Sequence, residues 1–263
     1  MAVNKISLIG AGVMGEALIA ALLKAGQDAN SISVIEKRKE RCDELVDIYG
    51  IKIDDNLDSA DVLLLVIKPQ DLSTVLSEIS GKLNPNALVI SFVAGKKIAD
   101  ISAALSGANP IVRVMPNTPT LIGQGAAGYS AEPKVSAAQK TFVAQLLNSS
   151  GVAIEIEESL QDAVTATSGS GPAYFFAFVE AMIAGSKELG LSEADATKLT
   201  AQTFIGAAKL LESSGKSATS LRENVTSPNG TTAAALASFS DSKLNEIVLK
   251  AMKAARDRSI ELS

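Results

Sequence analysis

The sequence predicts an α/β protein in two parts: a doubly wound parallel-sheet domain over residues 1–157, then an all-helical domain over 158–263. Three observations carry this prediction. Short apolar runs alternate with helical stretches from Lys5 to about Glu157. The first run opens into Gly10, Gly12 and Gly15, at G-x-G-x-x-G spacing and directly before a helix-forming stretch. From Ser159 onward no strand-like run follows, only long helical patterns separated by glycine and serine.

The elements follow in order. Lys5 to Ile9 turns apolar as a buried strand does, and Glu16 to Lys24 continues as an Ala- and Leu-rich helix. Ser31–Glu36 reads as a strand, Lys37–Tyr49 as a charged helix and Ile51–Ile53 as a short strand. Asp61–Ile67 is apolar at successive positions, as a central parallel strand must be. Lys68-Pro69 ends it, and Leu72–Ile79 forms a helix. Ala87–Phe92 is strand, Ile98–Leu105 helix and Ile111–Met115 strand, and short loops between them specify right-handed crossovers. Gly125–Ser130, a helix near Val135–Leu147 and Val152–Ile156 extend the domain. Pro172–Leu189, Ser192–Glu212, Thr231–Phe239 and Lys243–Glu261 then read as helices. The first of these is apolar nearly all round (Ala173, Tyr174, Phe175, Phe176, Phe178, Val179, Met182, Ile183), which predicts burial at a subunit interface.

Composition narrows the chemistry. The 263-residue chain is 47% hydrophobic and 20% charged, enough for a substantial core. A net charge of −5 without a basic block argues against nucleic-acid binding. With no histidine, neither a Ser–His–Asp nor a Cys–His site is possible within the chain, and with a single cysteine no zinc site is expected. Cys42 lies among charged residues and reads as surface or half-buried. With no signal-peptide pattern and no apolar run of membrane length, a cytoplasmic protein is expected.

Ligands of such sheets bind at the carboxyl ends of the strands. The first end is the glycine turn, Gly10, Ala11, Gly12, Val13, Met14 and Gly15, where helix N–H groups meet phosphates. At the second, Glu36 suits a ribose hydroxyl and so NAD, whereas Lys37 and Arg38 suit a 2′-phosphate and so NADP. The third is Val66, Ile67, Lys68 and Pro69; the fourth is Val93, Ala94 and Gly95, small enough to admit a flat ring. Lys68 reads more readily as a solvated side chain than as a catalytic amine. In the helical part, Ser168-Gly-Ser-Gly-Pro172 interrupts a helical pattern, either for close approach to a ligand or partner or as an elbow. Asn224 to Thr232 is a polar turn that opens a helix, so Gly230, Thr231 and Thr232 offer N–H groups and hydroxyls either to a carboxylate or to plain N-capping.

These segments together resemble the pyrroline-5-carboxylate reductase family, over essentially the whole chain. The resemblance rests on Gly10-Ala-Gly-Val-Met-Gly15, Val66-Ile-Lys-Pro69, Val112-Arg-Val-Met-Pro-Asn-Thr-Pro119, Ser168-Gly-Ser-Gly-Pro-Ala-Tyr174 and, most specifically, Leu221-Arg-Glu-Asn-Val-Thr-Ser-Pro-Asn-Gly-Thr-Thr232. It implies reduction of a cyclic imino acid to proline, with NADP(H) preferred and NAD(H) possible, and no metal. It places the cofactor against the glycine turn, the Lys37 neighbourhood, Asn56, Ile67–Pro69, Val93–Gly95 and Glu158. It places the substrate carboxylate on Ser227 and the N–H groups up to Thr232, with the Thr232 hydroxyl facing the ring nitrogen as the catalytic contact. It also implies a homodimer through the helical domain, and possibly a decamer. Two departures stand out. Asn229 occupies a position where the family commonly has glycine, so a left-handed Asn is expected, and residues 215–220 lack the acidic residue and His-Pro-Gly that many members carry. The alternatives are a β-hydroxyacid dehydrogenase-like oxidoreductase and a non-catalytic nicotinamide-binding regulator. The first uses a lysine and an asparagine early in its second domain, and none precedes Lys187 in the helix from Pro172. The second has no need of a carboxylate seat.

Overall fold

The computed structural model describes residue 3 and residues 5–262, which form two compact units. One unit comprises Met1–Ser170 with Ala255–Ser263; the other is Gly171–Ala254.

The first unit is built on an eight-stranded sheet of order β3-β2-β1-β4-β5-β6-β7-β8. Its strands are β1 (Ile6–Ile9), β2 (Ile32–Ile35), β3 (Lys52–Ile53), β4 (Val62–Leu65), β5 (Leu88–Ser91), β6 (Ile111–Met115), β7 (Gly125–Ala131) and β8 (Gly151–Glu155). β1, β4 and β5 are buried along their whole length, which is why β4 runs apolar at every position and β1 and β5 carry one small serine each, Ser7 and Ser91, among apolar residues. The connecting helices are α1 (Val13–Lys24), α2 (Lys39–Tyr49), α3 (Leu72–Ile79), α4 (Ile98–Ala104) and α5 (Ala137–Asn148). They leave two apolar clusters: one includes Leu8, Leu18, Leu22 and Leu64, the other Leu63, Leu65, Val75 and Ile101. Alternate residues of β4 thus feed opposite faces of the sheet.

The sheet is parallel-dominated, and β6 and β7 form its antiparallel pair. The segment 116–124 between them is too short for a parallel crossover, which takes about a dozen residues. It makes a single 3-10 stretch, Thr118–Ile122, and the chain turns back. Cys42, expected at or near the surface, is buried and faces the sheet from α2, its thiol directed at the Glu36 carbonyl (3.5 Å).

Beyond β8, residues 158–170 stay with the sheet as a 3-10 turn, the short helix α6 (Gln161–Val164) and a π-turn over Thr165–Gly169. The Ser170 N–H donates to the Thr165 carbonyl (2.8 Å), the i→i−5 bond that closes the π-turn, and a bend at Ser170 follows within the Gly/Ser stretch. Ser259, near the chain end, donates to the Asp162 carboxylate (2.7 Å).

The second unit is helical among the described residues: α7 (Gly171–Glu188), α8 (Glu193–Ser214), α9 (Ala218–Asn224), α10 (Thr231–Asp241) and the first turns of α11 (Leu244–Glu261). α9 starts inside Ser213–Ser220, a stretch that reads from sequence as a separator between helices, and runs on beyond it. Ser217 caps it through the Ser220 N–H (3.2 Å), a local signal that the sparse apolar content obscured. Phe175, Phe178, Phe204 and Phe239 stack edge to face or tilted, with ring centres 5.0–6.1 Å apart. Among the described residues no helix is long and apolar enough to cross a membrane.

Candidate functional site

Three strand ends converge on the glycine turn. Gly10 follows β1 with φ +93°, outside the range side-chain-bearing residues favour, and its N–H donates to the Ile35 carbonyl at the end of β2 (3.1 Å). A Cβ on Gly10 would strike the Val66 carbonyl beyond β4, and one on Gly15 would strike the Gly10 carbonyl. Gly12 is exposed, and a Cβ there would meet nothing within 4 Å. Two glycines therefore close the turn against the protein and the third leaves an open approach above the start of α1. That arrangement fits a dinucleotide phosphate at the N–H groups of a 12-residue helix.

Charged side chains fix this turn. Glu36, just past β2, accepts from the Ala11 N–H (3.2 Å), the Arg38 N–H (3.0 Å) and the Arg38 Nε (3.1 Å). Burial pushes the Glu36 carboxyl up, but the Arg38 side chain and the two backbone donors outweigh it and hold the group below its ordinary range. The Ala11 carbonyl accepts from Arg41 Nε (2.9 Å). Arg41 also pairs with Glu16 and Glu44, and the Tyr49 hydroxyl donates to Glu16 (3.0 Å). The Arg41 hydrogen bond, opposed by burial and aided by Tyr49, keeps the Glu16 carboxyl low. Sequence reasoning missed Arg41, Glu16 and Tyr49. Arg41 and Tyr49 lie on α2 and Glu16 on α1, 25 residues before Arg41, so only the Arg41–Glu44 spacing is visible locally.

The other predicted residues are distributed as follows. Val66 to Pro69 extend from β4 beside the turn, with Val66 N–H on the Ile9 carbonyl (2.9 Å). Val93 and Gly95 are buried beyond β5, and Ala94 is exposed between them. Lys37, Arg38, Lys68 and Asn56 are exposed. Glu158 is engaged within the protein: its Oε1 accepts from the Ile98 N–H (2.7 Å) and from Arg113 Nη1 (3.4 Å).

In the helical unit, Asn229 has φ +55°, the left-handed conformation expected of it. Gly230 is the N-cap of α10 and no side chain caps the helix, so plain N-capping does not account for this turn. The Gly230 N–H donates to the Ser227 carbonyl (3.1 Å), and a Cβ on Gly230 would strike the Ser227 hydroxyl. Ser227, Gly230, Thr231 and Thr232 are thus gathered at one 11-residue helix start, with Ser227 and Thr231 exposed. Among the described residues no group of three His, Cys, Asp or Glu side chains is placed to hold a metal.

Comparison with known proteins places these features in a family. Residues 158–262 match the model for pyrroline-5-carboxylate reductase dimerisation, and residues 5–95 match NADP oxidoreductase, coenzyme F420-dependent. A pyrroline-5-carboxylate reductase of Corynebacterium melassecola is 42% identical, with 98% of each chain covered. The chain belongs to the pyrroline-5-carboxylate reductase family. The reductase of Pseudomonas aeruginosa is 41% identical, covering 100% of this chain and 98% of its own. Among solved structures, a pyrroline-5-carboxylate reductase of Coxiella burnetii superimposes with a TM-score of 0.94 at 34% identity, covering 100% of this chain and 99% of that one. The pyrroline carboxylate reductase of Plasmodium falciparum, solved with NADP bound, gives 0.85 at 29% identity, with 98% of each covered.

Proposed function

We propose that this chain is an oxidoreductase that reduces 1-pyrroline-5-carboxylate to L-proline, the last step of proline biosynthesis, with NADPH preferred over NADH. The observation that carries the reading is the uncapped start of α10 behind a left-handed Asn229, in a chain of this family. The N–H groups at Gly230–Thr232 and the Ser227 hydroxyl form a seat for one small carboxylate. In this reading Thr232 is the catalytic contact, its hydroxyl facing the ring nitrogen.

The reduced dinucleotide supplies the hydride, two electrons and one hydrogen, to the imine carbon. The C=N π pair withdraws onto nitrogen, whose proton Thr232 steadies as the ring charge falls. A protonated imine is already electrophilic, so the chain contributes alignment and a carboxylate anchor, and a protein without histidine can do this. No step calls on a metal.

Glu36 supports the NADPH preference. Its carboxylate is already engaged by the Ala11 N–H and by Arg38, whose side chain stays 64% exposed despite that pairing and, with exposed Lys37, offers positive charge to a 2′-phosphate. The proposal includes self-association through the helical unit as a dimer, with decamers built from dimers, and a cytoplasmic setting, which the buried free thiol of Cys42 suits.

Loss of NADPH absorbance on adding the cyclic imine tests the reaction, with NADH run alongside. Oxidation of neither cofactor would overturn it. Thr232→Ala is expected to lower turnover about a hundredfold, in the range of a lost proton-handling contact, while cofactor affinity holds. Unchanged turnover would remove Thr232 from the mechanism.

A further inference from the structure

One motif plays no part in the chemistry above. Arg113, Met115 and Asn117 stand two residues apart along and just beyond β6, so they share a face of the strand. Each meets the segment 158–170. Arg113 Nη1 donates to Glu158 (3.4 Å), and the Arg113 carbonyl accepts from Gln161 Nε2 (3.4 Å). A Cβ on Gly169 would lie 2.7 Å from the Met115 methyl. Asn117 donates to the Ser168 carbonyl (3.1 Å) and accepts from the Ala126 N–H (2.8 Å).

The Arg113 contact reaches furthest. Its guanidinium is buried, with the residue 5% exposed, and a buried charge needs a partner. That partner, Glu158 Oε1, also accepts from the N–H of Ile98, where α4 begins. The stretch 92–97 is therefore tied at both ends: Phe92 N–H to the Leu65 carbonyl of β4 (2.9 Å), and Ile98 N–H to a carboxylate that Arg113 holds in place. Between these anchors lies the turn Val93–Gly95.

We propose that Arg113 is a positioning residue: through Glu158 it fixes the Val93–Gly95 turn, and with it the nicotinamide half of the dinucleotide. This rests on the function proposed above and on the family resemblance, which places the cofactor against Val93–Gly95, a turn small enough to admit its flat ring. Without Arg113, the partly exposed Glu158 carboxylate turns to water and Ile98 loses its acceptor. The glycine turn, anchored separately by Glu36 and Arg41, is untouched, so the effect is confined to one half of the ligand.

The test is titration of NADPH, and of adenosine 2′,5′-bisphosphate as its adenosine half, into the wild-type protein, Arg113→Met, Arg113→Lys, Glu158→Gln and the Met/Gln double variant. Arg113→Met is expected to weaken NADPH about tenfold, and the double variant no further, as coupled neighbours behave. The bisphosphate should bind each variant within about twofold of wild type, and Arg113→Lys should recover part of the NADPH loss. Equal weakening of both ligands, or additive losses in the double variant, would overturn the proposal. Should Arg113→Met fail to fold, Glu158→Gln carries the same comparison. None of these titrations requires turnover, so failure of the proposed reaction is read separately, from the wild-type assay.

Discussion

The two units spend similar apolar sequence in opposite ways. In the sheet unit, Leu8, Leu18, Leu64 and Leu88 are fully enclosed by their own chain. In the helical unit, Phe175, Phe176, Ile205 and Leu210 are exposed, with Phe176 at 58%, and Ala196 and Thr200 are the buried residues among those described. A monomer seldom leaves so many large apolar side chains of one unit open. The first unit is a solvent-excluding core; the second leaves large apolar side chains at its surface and matches a family model for dimerisation, which supports the self-association proposed above.

Substitutions can sharpen that contrast. The largest effect is expected from Leu64→Ala in β4: a loss of about 2 to 5 kcal/mol of stability, read by thermal unfolding at any protein concentration, with assembly unchanged. Phe176→Glu should do the reverse. Exposing the equivalent of one ring per copy and adding a charge costs on the order of 2 kcal/mol of association, seen as a shift toward monomer in sedimentation, while the sheet unit keeps its unfolding transition. If Phe176→Glu unfolds the sheet unit, or Leu64→Ala dissociates the chain, the division of labour is wrong.

The smallest effect concerns pH. Glu16 and Glu36 have carboxyls lowered from an ordinary 4.5, so their contribution is fully present above that value and is lost as pH falls through their folded values. Unfolding midpoints should stay level from neutral pH toward 5 and drop below about 4.5, with Glu16→Gln showing a shallower drop. An identical drop in that variant would show that the Arg41 network adds nothing there.

Much of the sheet unit was legible because period and burial coincide. Leu72–Ile79 and Ile111–Met115 begin and end where their apolar patterns do. The antiparallel entry of β7 was not, because strand direction depends on what 116–124 has room to build, and periodicity is blind to direction. The Ser168–Pro172 stretch reads as a break, since glycine and serine weaken helices; a bend does fall at Ser170, but Ser168 and Gly169 before it lie in a π-turn over Thr165–Gly169 that periodicity does not foresee. In the site, glycine positions and the Asn229 conformation follow from local backbone demands and could be read. The contacts Arg41–Ala11, 30 residues apart, and Arg113–Glu158, 45 apart, join side chains that only the folded sheet brings together.

Ala11 has both its backbone groups secured by charged side chains, the N–H by Glu36 and the carbonyl by Arg41. A loop so tethered has little conformational freedom left to surrender. The ordering cost of docking a dinucleotide there falls on the flexible ligand rather than on the protein. Loosening either tether would therefore appear as a less favourable binding entropy before any contact to the ligand was lost.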